Sequence, residues 1–349
     1  MQRVTLENLT DYARHVIEAA ESNADSYPIT STVRLPGLGL TVHAGHGPLA
    51  DAVKQAFVGA PDSQAPCADC RIFVAHPGIG AIPEPAAWGQ GHFTPQSFAS
   101  KLADAGLRGS YFHDLDFWQF YDPDRRVGAQ LMRSADSFPP WEPGAPLRAF
   151  LHWEYAARGM RLAHAGTLGI GGKGILLAGA GGSGKSGTVV AGLLNGLDSV
   201  GDDYVLTDIV DGVTAYPLFA TLKQDPKGFR RLGLQHRLKS RGPLNWQGKH
   251  QFLLENIAVQ TTPARLDIVA LLVPSIGGSG VSSIMSLSRK DAMIALAPSG
   301  IAQMPGERES GFRFFGELTR LLPCYRLSLG TRPEEIAGTI SEFLARGNA

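Results

Sequence analysis

Hydrophobic positions along the chain change period several times, and each change predicts an element. Leu9, Tyr12, Val16, Ile17 and Ala20 recur at the three- and four-residue spacing of an amphipathic helix. Strands are predicted at Thr30–Leu35 and Gly39–His43, separated by Pro36-Gly37 as in a hairpin. A second helix covers Leu49–Phe57, and Arg71–Ala75 reads as a strand. Residues 77–97, rich in Pro and Gly, read as a loop. Phe117–Tyr121 and Gly128–Met132 are strands around the turn sequence Asp122-Pro123-Asp124-Arg125. The aromatic residues Tyr111, Phe112, Phe117, Trp118, Phe120 and Tyr121 fit a packed sheet face better than a ligand-stacking surface. Ser137–Pro146, with four prolines, reads as a linker, and a helix follows at Leu147–Arg158. The boundary is set near residue 140, giving a smaller α+β domain over 1–140 and a second domain over 141–349.

In the second part, the apolar run Ile175-Leu176-Leu177-Ala178 predicts a buried strand. Val189, Val190, Leu193 and Leu194 then mark a helix, with Gly196 where a C-terminal cap belongs. A meander is expected from Tyr204–Ile209 through Asp211-Gly212 to Val213–Tyr216. Leu266–Val273 is the strongest remaining buried strand, Asp291–Leu296 and Phe312–Leu322 read as helices, and Tyr325–Leu329 as a strand. Thr331-Arg332-Pro333-Glu334 has the form of a capping box before a last helix that buries Ile336, Ile340, Phe343 and Leu344. Strands and helices in this order make the chain α/β.

Between the strand and the helix lies Gly179-Ala180-Gly181-Gly182-Ser183-Gly184-Lys185-Ser186, a complete G-x-x-x-x-G-K-S (Walker A) phosphate loop. Glycines let backbone N–H groups turn inward around phosphate oxygens, and the helix brings its positive end to the same anion. Gly179, Gly181, Gly182, Ser183 and Gly184 form the cradle, Lys185 reaches the β- and γ-phosphates, and Ser186 is a Mg²⁺ ligand. The motif predicts binding of a nucleoside triphosphate, ATP with Mg²⁺.

Gly201-Asp202-Asp203 follows after a single helix, Asp203 standing 18 residues beyond Lys185. These acids precede the apolar run Tyr204-Val205-Leu206. One short helix therefore returns two adjacent carboxylates to the loop. Paired acids beside a triphosphate suit two tasks, holding Mg²⁺ and accepting a proton from an attacking hydroxyl. A plain turn opening a strand is the alternative reading of the same residues.

His164-Ala165-Gly166, the loop Gly179–Ser186 and Gly201-Asp202-Asp203-Tyr204-Val205-Leu206 together resemble the HPr kinase/phosphorylase family and its stand-alone serine-kinase relatives. The 21-residue interval from His164 to Lys185 is also similar to that family's. ATP-dependent phosphoenolpyruvate carboxykinases share the loop followed shortly by an Asp pair. The resemblance implies a C-terminal P-loop kinase domain of HPr kinase/phosphoenolpyruvate-carboxykinase type, with an acidic pair supplying a base and a metal contact. It implies that His164 lies near the transferred phosphate. Assigning Asp202 as base and Asp203, with Ser186, to the metal is one division of a pair that acts together. Pro146-Leu147-Arg148 and Leu322–Leu327 look more like the relatives encoded beside modified-peptide biosynthesis genes. The arginine-glycine-rich second signature of the sugar-regulation enzymes is missing, and Thr221–Pro226 stands in its place. Phosphorylation of HPr itself therefore does not follow.

The charges balance, 32 basic against 32 acidic, which gives no broad basic face for nucleic acid. No apolar run approaches the ~20 residues of a membrane span. The N-terminal segment lacks the apolar core of a signal peptide. A soluble, cytoplasmic protein is expected, with a homo-oligomer left open. Cys67-Ala68-Asp69-Cys70 has metal-like spacing, and His76 and His92 are the further ligands a zinc site would need. Two reduced thiols before a strand are the simpler expectation. Cys324 reads as a core residue. Residues 223–250 carry many Lys and Arg and few acids, a run fit for phosphate or an acidic peptide or for a plain solvated face. Gly277–Gly280 is a loop. Three functions remain: a kinase for a serine in a peptide or protein, with the N-terminal domain helping recognise the acceptor; a small-molecule kinase; and a nucleotide sensor without phosphotransfer.

Overall fold

The computed structural model describes residues 4–59, 68–79, 93–238, 244–259, 261–277, 280–300 and 308–346. The chain divides into two compact units between Arg158 and Gly159.

The first unit is built on one mixed sheet. Its strands are β1 (Ile29–Leu35), β2 (Leu38–Ala44), β3 (Ala68–Ala75), β4 (Arg108–Phe112), β5 (Phe117–Asp122) and β6 (Val127–Leu131), in the order β1-β2-β3-β6-β5-β4. The expected hairpin is β1–β2, turning at Pro36-Gly37 with Gly37 at φ +65°. Helix α1 (Leu9–Ser22) buries Leu9, Ala13, Val16 and Ile17 in a cluster with Phe73, Trp118 and Phe120. Helix α2 spans Pro48–Ala56. Helix α3 (Pro95–Asp104), capped by the Thr94 hydroxyl, adds Phe98 and Leu102 to that cluster. The predicted loop 77–97 thus ends inside a helix, and residues 80–92 lie outside the described residues.

The proline-rich segment expected as a linker is packed instead. Glu142, Ala145 and Leu147 are buried, and the Glu142 carboxylate accepts from the Leu147 backbone N–H at 2.8 Å. Burial pushes the Glu142 carboxyl up to about 7. Helix α4 (Arg148–Ala156) then sets Phe150 and Trp153 against Tyr121. That packing keeps α4 in the first unit, so the division falls after it and not near residue 140. Cys70 is buried in β3 beside Tyr121, and its thiol is pushed up to about 12 by desolvation. Cys67 and His92 lie outside the described residues.

The second unit has a parallel centre. Strands β9 (Lys173–Leu177), β14 (Leu266–Ser275) and β16 (Cys324–Ser328) run parallel, β14 between the other two. β15 (Ser283–Ser286) pairs with β16, and β8 (Gly166–Ile170) with β9. A meander of β7 (Arg161–Ala163), β10 (Val205–Asp208) and β11 (Thr214–Tyr216) joins the far end of β14. Alternation within β9 explains its unbroken apolar run. Ile175 and Leu177 pack with α5 (Lys185–Leu194) and α9 (Pro333–Arg346), while Leu176 packs with α7 (Arg289–Gly300) and α8 (Arg308–Leu321). Of the basic stretch after β11, residues 239–243 lie outside the described residues; around them β12 (Thr221–Gln224) and β13 (His250–Leu253) form a two-stranded sheet, with α6 (Pro226–Arg231) following β12. No helix among the described residues is long and apolar enough to cross a membrane.

Candidate active site

The phosphate-loop motif occupies the turn from β9 into α5. Gly182 and Gly184 have φ of +83° and +104°, backbone that a side chain would strain. A Cβ on Gly184 would also stand 2.4 Å from Leu329 Cδ1, so the glycine is required twice over. Lys185 is 7% exposed, and its ammonium donates to the Gly179 carbonyl oxygen at 2.5 Å. Desolvation lowers the Lys185 pKa, with Asp202 and Asp203 opposing that shift. The Ser183 hydroxyl has no hydrogen-bond partner among the described residues.

Strand register brings the acids and the histidine together. β7 and β10 are antiparallel with Ala163 opposite Val205, which sets His164 opposite Tyr204. The His164 ring stacks on Tyr204 at 5.2 Å, and its Nε2 meets Asp203 Oδ1 at 2.7 Å. The Lys223 ammonium, from β12, donates to Asp203 Oδ2 at 2.6 Å. Asp203 adopts φ +75°, the left-handed region that a non-glycine residue enters at a cost. The turn is pinned from behind: the Thr167 N–H donates to the Gly201 carbonyl at 3.0 Å, and the Val200 N–H donates to Thr167 Oγ1 at 3.0 Å. The Ser199 hydroxyl oxygen accepts from the Gly201 N–H at 3.0 Å.

The two carboxylates differ sharply. Burial alone would raise Asp203, but the His164 hydrogen bond and the Lys223 charge outweigh it and hold Asp203 well below the ordinary carboxylate range. Asp202 is 1% exposed, and burial, reinforced by the Asp203 charge, pushes its pKa up. The Ser186 hydroxyl bonds the Asp202 carboxylate, while Oδ1 has no partner among the described residues. Gly166 makes room for this arrangement. A Cβ there would lie 3.0 Å from Asp202 Oδ1 and 2.5 Å from Val189 Cγ2.

The residues singled out from the sequence, His164, Gly179–Ser186, Asp202 and Asp203, therefore converge. Thr167 and Ser199 were not singled out, and Lys223 entered only as the first cation of the basic run 223–250. Lys223 stood in the segment that replaces a familiar signature, and Thr167 and Ser199 carry no motif at all.

No family model and no curated protein matches the chain. Among solved structures it is similar to the Hpr(Ser) kinase/phosphatase from Coxiella burnetii, at a TM-score of 0.30 and 10% identity. That match covers 54% of this chain and 99% of the other. A likeness of this size carries no argument about activity.

Proposed function

We propose that the chain is an ATP- and Mg²⁺-dependent kinase that transfers the γ-phosphate to a hydroxyl, with a serine of a peptide or small protein as acceptor. One observation carries this: two adjacent carboxylates stand beside a phosphate-loop lysine and serine in unlike surroundings, Asp202 buried with an unbonded oxygen and Asp203 clasped by His164 and Lys223. Residues whose environments drive their pKa values apart are what acid–base chemistry uses.

In this reading the loop N–H groups and Lys185 hold the β- and γ-phosphates. Ser186 and a carboxylate of the Asp202–Asp203 pair would hold Mg²⁺; Asp203 was the expected ligand, and in this structure its two oxygens are engaged by His164 and Lys223 while Ser186 stands against Asp202. A hydroxyl and carboxylate oxygens, with phosphate oxygens and water completing the shell, suit that hard ion, and the unbonded Oδ1 of buried Asp202 fits a site that takes up a further charge or proton. When bound, the metal would offset charge on the transferring phosphoryl group. Asp202 accepts the acceptor's hydroxyl proton through Oδ1. His164 and Lys223 keep Asp203 ionised and oriented while that proton moves.

The peptide acceptor is supported by the resemblance to stand-alone serine kinases of modified-peptide biosynthesis, a precursor peptide being the natural candidate. A small-molecule acceptor would rest on the aromatic and histidine residues of 88–121. Trp118, Phe120 and Tyr121 are each at most 1% exposed and serve as core. A pure sensor has no use for a divided carboxylate pair. The test is γ-labelled ATP with Mg²⁺ and a pooled library of serine-containing peptides. Label on a peptide supports the reading. ATP bound tightly, with no transfer to any peptide, favours the sensor.

A further inference from the structure

A second set of side chains meets the first turn of α5 from β12 and α6, apart from the Asp pair and its partners. Gly187 is the residue after Ser186. A Cβ built on it would lie 3.3 Å from an Arg231 guanidinium nitrogen and 3.9 Å from Gln224 Oε1. Gln224 is 5% exposed. Its Nε2 donates to Asp225 Oδ2 at 2.9 Å, and Asp225 Oδ1 caps α6 by accepting from the Lys227 and Gly228 N–H groups, both at 3.0 Å. A carboxylate only accepts, so this contact fixes the amide with its nitrogen toward Asp225 and its oxygen free for the other side. That oxygen has no hydrogen-bond partner among the described residues. A buried acceptor in this state calls for a donor from outside the fold. Arg231 is exposed and forms no hydrogen bond or ion pair with a described residue.

The direction of the loop says which part of a ligand arrives here. The lysine of such a loop reaches the β- and γ-phosphates, and backbone N–H groups cradle the α- and β-phosphates. The γ-phosphate end is therefore the end of Lys185 and the Asp pair. The α-phosphate lies toward the helix's first turn, and the nucleoside beyond it. We infer that Arg231 and Gln224 form the nucleoside-side wall of the site: Arg231 pairs with the α-phosphate, and Gln224 Oε1 accepts a hydrogen bond from an N–H or O–H of the nucleoside. The donor is a ribose hydroxyl or an amino group of the base. A Cβ on Gly187 would crowd the Arg231 guanidinium at 3.3 Å and only touch Gln224 Oε1 at 3.9 Å, so the bare glycine leaves Arg231 its close approach to the helix. This inference rests on the nucleotide reading above.

The test compares wild type, Gln224→Leu, Arg231→Gln and the control Lys227→Ala by calorimetric titration with ATP, ADP, 2′-deoxy-ATP, GTP and inorganic tripolyphosphate, each with Mg²⁺. Gln224→Leu should weaken ATP about 10-fold and leave tripolyphosphate at the wild-type value. Arg231→Gln should weaken ATP and ADP by the same factor, about 10-fold, because the α-phosphate is common to both. Lys227→Ala, on the same helix, should change neither. A wild-type preference for ATP over 2′-deoxy-ATP that vanishes in Gln224→Leu assigns the ribose; one for ATP over GTP that vanishes assigns the base. Gln224→Met, which keeps the length of the side chain and removes the amide oxygen, should reproduce the Gln224→Leu loss and serves where Gln224→Leu does not fold. Wild-type ATP affinity in Gln224→Leu and Arg231→Gln would overturn the inference, as would an equal loss of tripolyphosphate in Gln224→Leu. If wild type and Lys185→Met alike bind neither ATP nor tripolyphosphate, the nucleotide reading itself fails and this inference with it.

Discussion

Asp202→Asn should make the protein more stable and less active at once. The wild-type side chain is 1% exposed, with one carboxylate oxygen unbonded and the ionised Asp203 next to it. Its pKa is raised in the folded state, so the ionised form is disfavoured there relative to the unfolded chain. For an acid, that penalty is absent below the unfolded pKa, grows as pH rises toward the folded value, and is complete above it. The amide removes the charge and keeps the shape. Leaving a buried group of this kind unsatisfied costs about 1–3 kcal/mol, and the Lys185 charge and the Ser186 hydrogen bond recover part of that. A net gain of about 1–2 kcal/mol for Asp202→Asn at pH 7.5 follows from the same range. In a unit of this size each kcal/mol moves Tm by about 2–4 °C. Differential scanning fluorimetry at pH 7.5 should show the rise, and at pH 4 the two proteins should converge. Turnover with γ-labelled ATP should fall by a factor on the order of 10²–10⁴, with nucleotide affinity largely kept. A lower Tm than wild type at pH 7.5 would refute the electrostatic reasoning, and a wild-type rate would refute the role as base.

Four further outcomes follow from the same geometry. Asp203 is held ionised by His164 and Lys223, so its contribution is present above the ordinary aspartate pKa of about 3.9 and is lost as pH falls below it. Lys223→Met should therefore flatten the acid limb of the stability curve, read by circular dichroism between pH 2 and 6; an unchanged limb counts against the ion pair. Gly166→Ala should cost about 1–3 kcal/mol by overpacking against Val189 and should displace Asp202. Urea unfolding and a turnover assay on the same preparation check both. Thr167→Val removes the hydroxyl that accepts from the Val200 N–H and should cost about 1–3 kcal/mol, with turnover reduced because the Gly201–Asp203 turn loosens. Chelating Mg²⁺ should abolish transfer from ATP, and restoring it should recover the rate.

Much of this arrangement was legible because its signals are local. The glycines, Lys185 and Ser186 are contiguous, and β9 and α5 announce themselves by period. The first unit's aromatic face was legible for the same reason. What escaped was set by tertiary pairing. β7 and β12 are short, three and four residues, and carry no alternation that a window could detect. α3 starts inside a proline-rich stretch, and the cap that begins it is a single turn in which the Thr94 and Ser97 hydroxyls each accept from the other's backbone N–H. The prolines of Ser137–Pro146 signalled a linker, but proline also suits rigid packed turns, and buried Glu142 binding the Leu147 N–H fixes this one. Lys223 could have been found only by asking which cation would hold an Asp kept at φ +75° next to a second acid.

That question leads to the reason the acids stand before their strand. In an antiparallel pair the residue just past the end of one strand faces the residue just before the start of the other. His164 follows β7, and Tyr204 precedes β10. Acids placed before β10 therefore sit beside His164 without further design, and the same turn can lean on Thr167 at the start of β8. Had the acids followed β10, they would lie at its other end, near the turn at Asp211-Gly212, away from His164. The left-handed backbone at Asp203 is the cost of presenting both adjacent carboxylates, since neighbouring residues in an extended strand point to opposite faces. Strain at that one residue lets Asp203 reach His164 and Lys223 while Asp202 stays against Ser186. An Asp203→Gly variant should relieve the strain and lose the ion pairs together. A smaller fall in stability than in Asp203→Asn would measure the strain by difference.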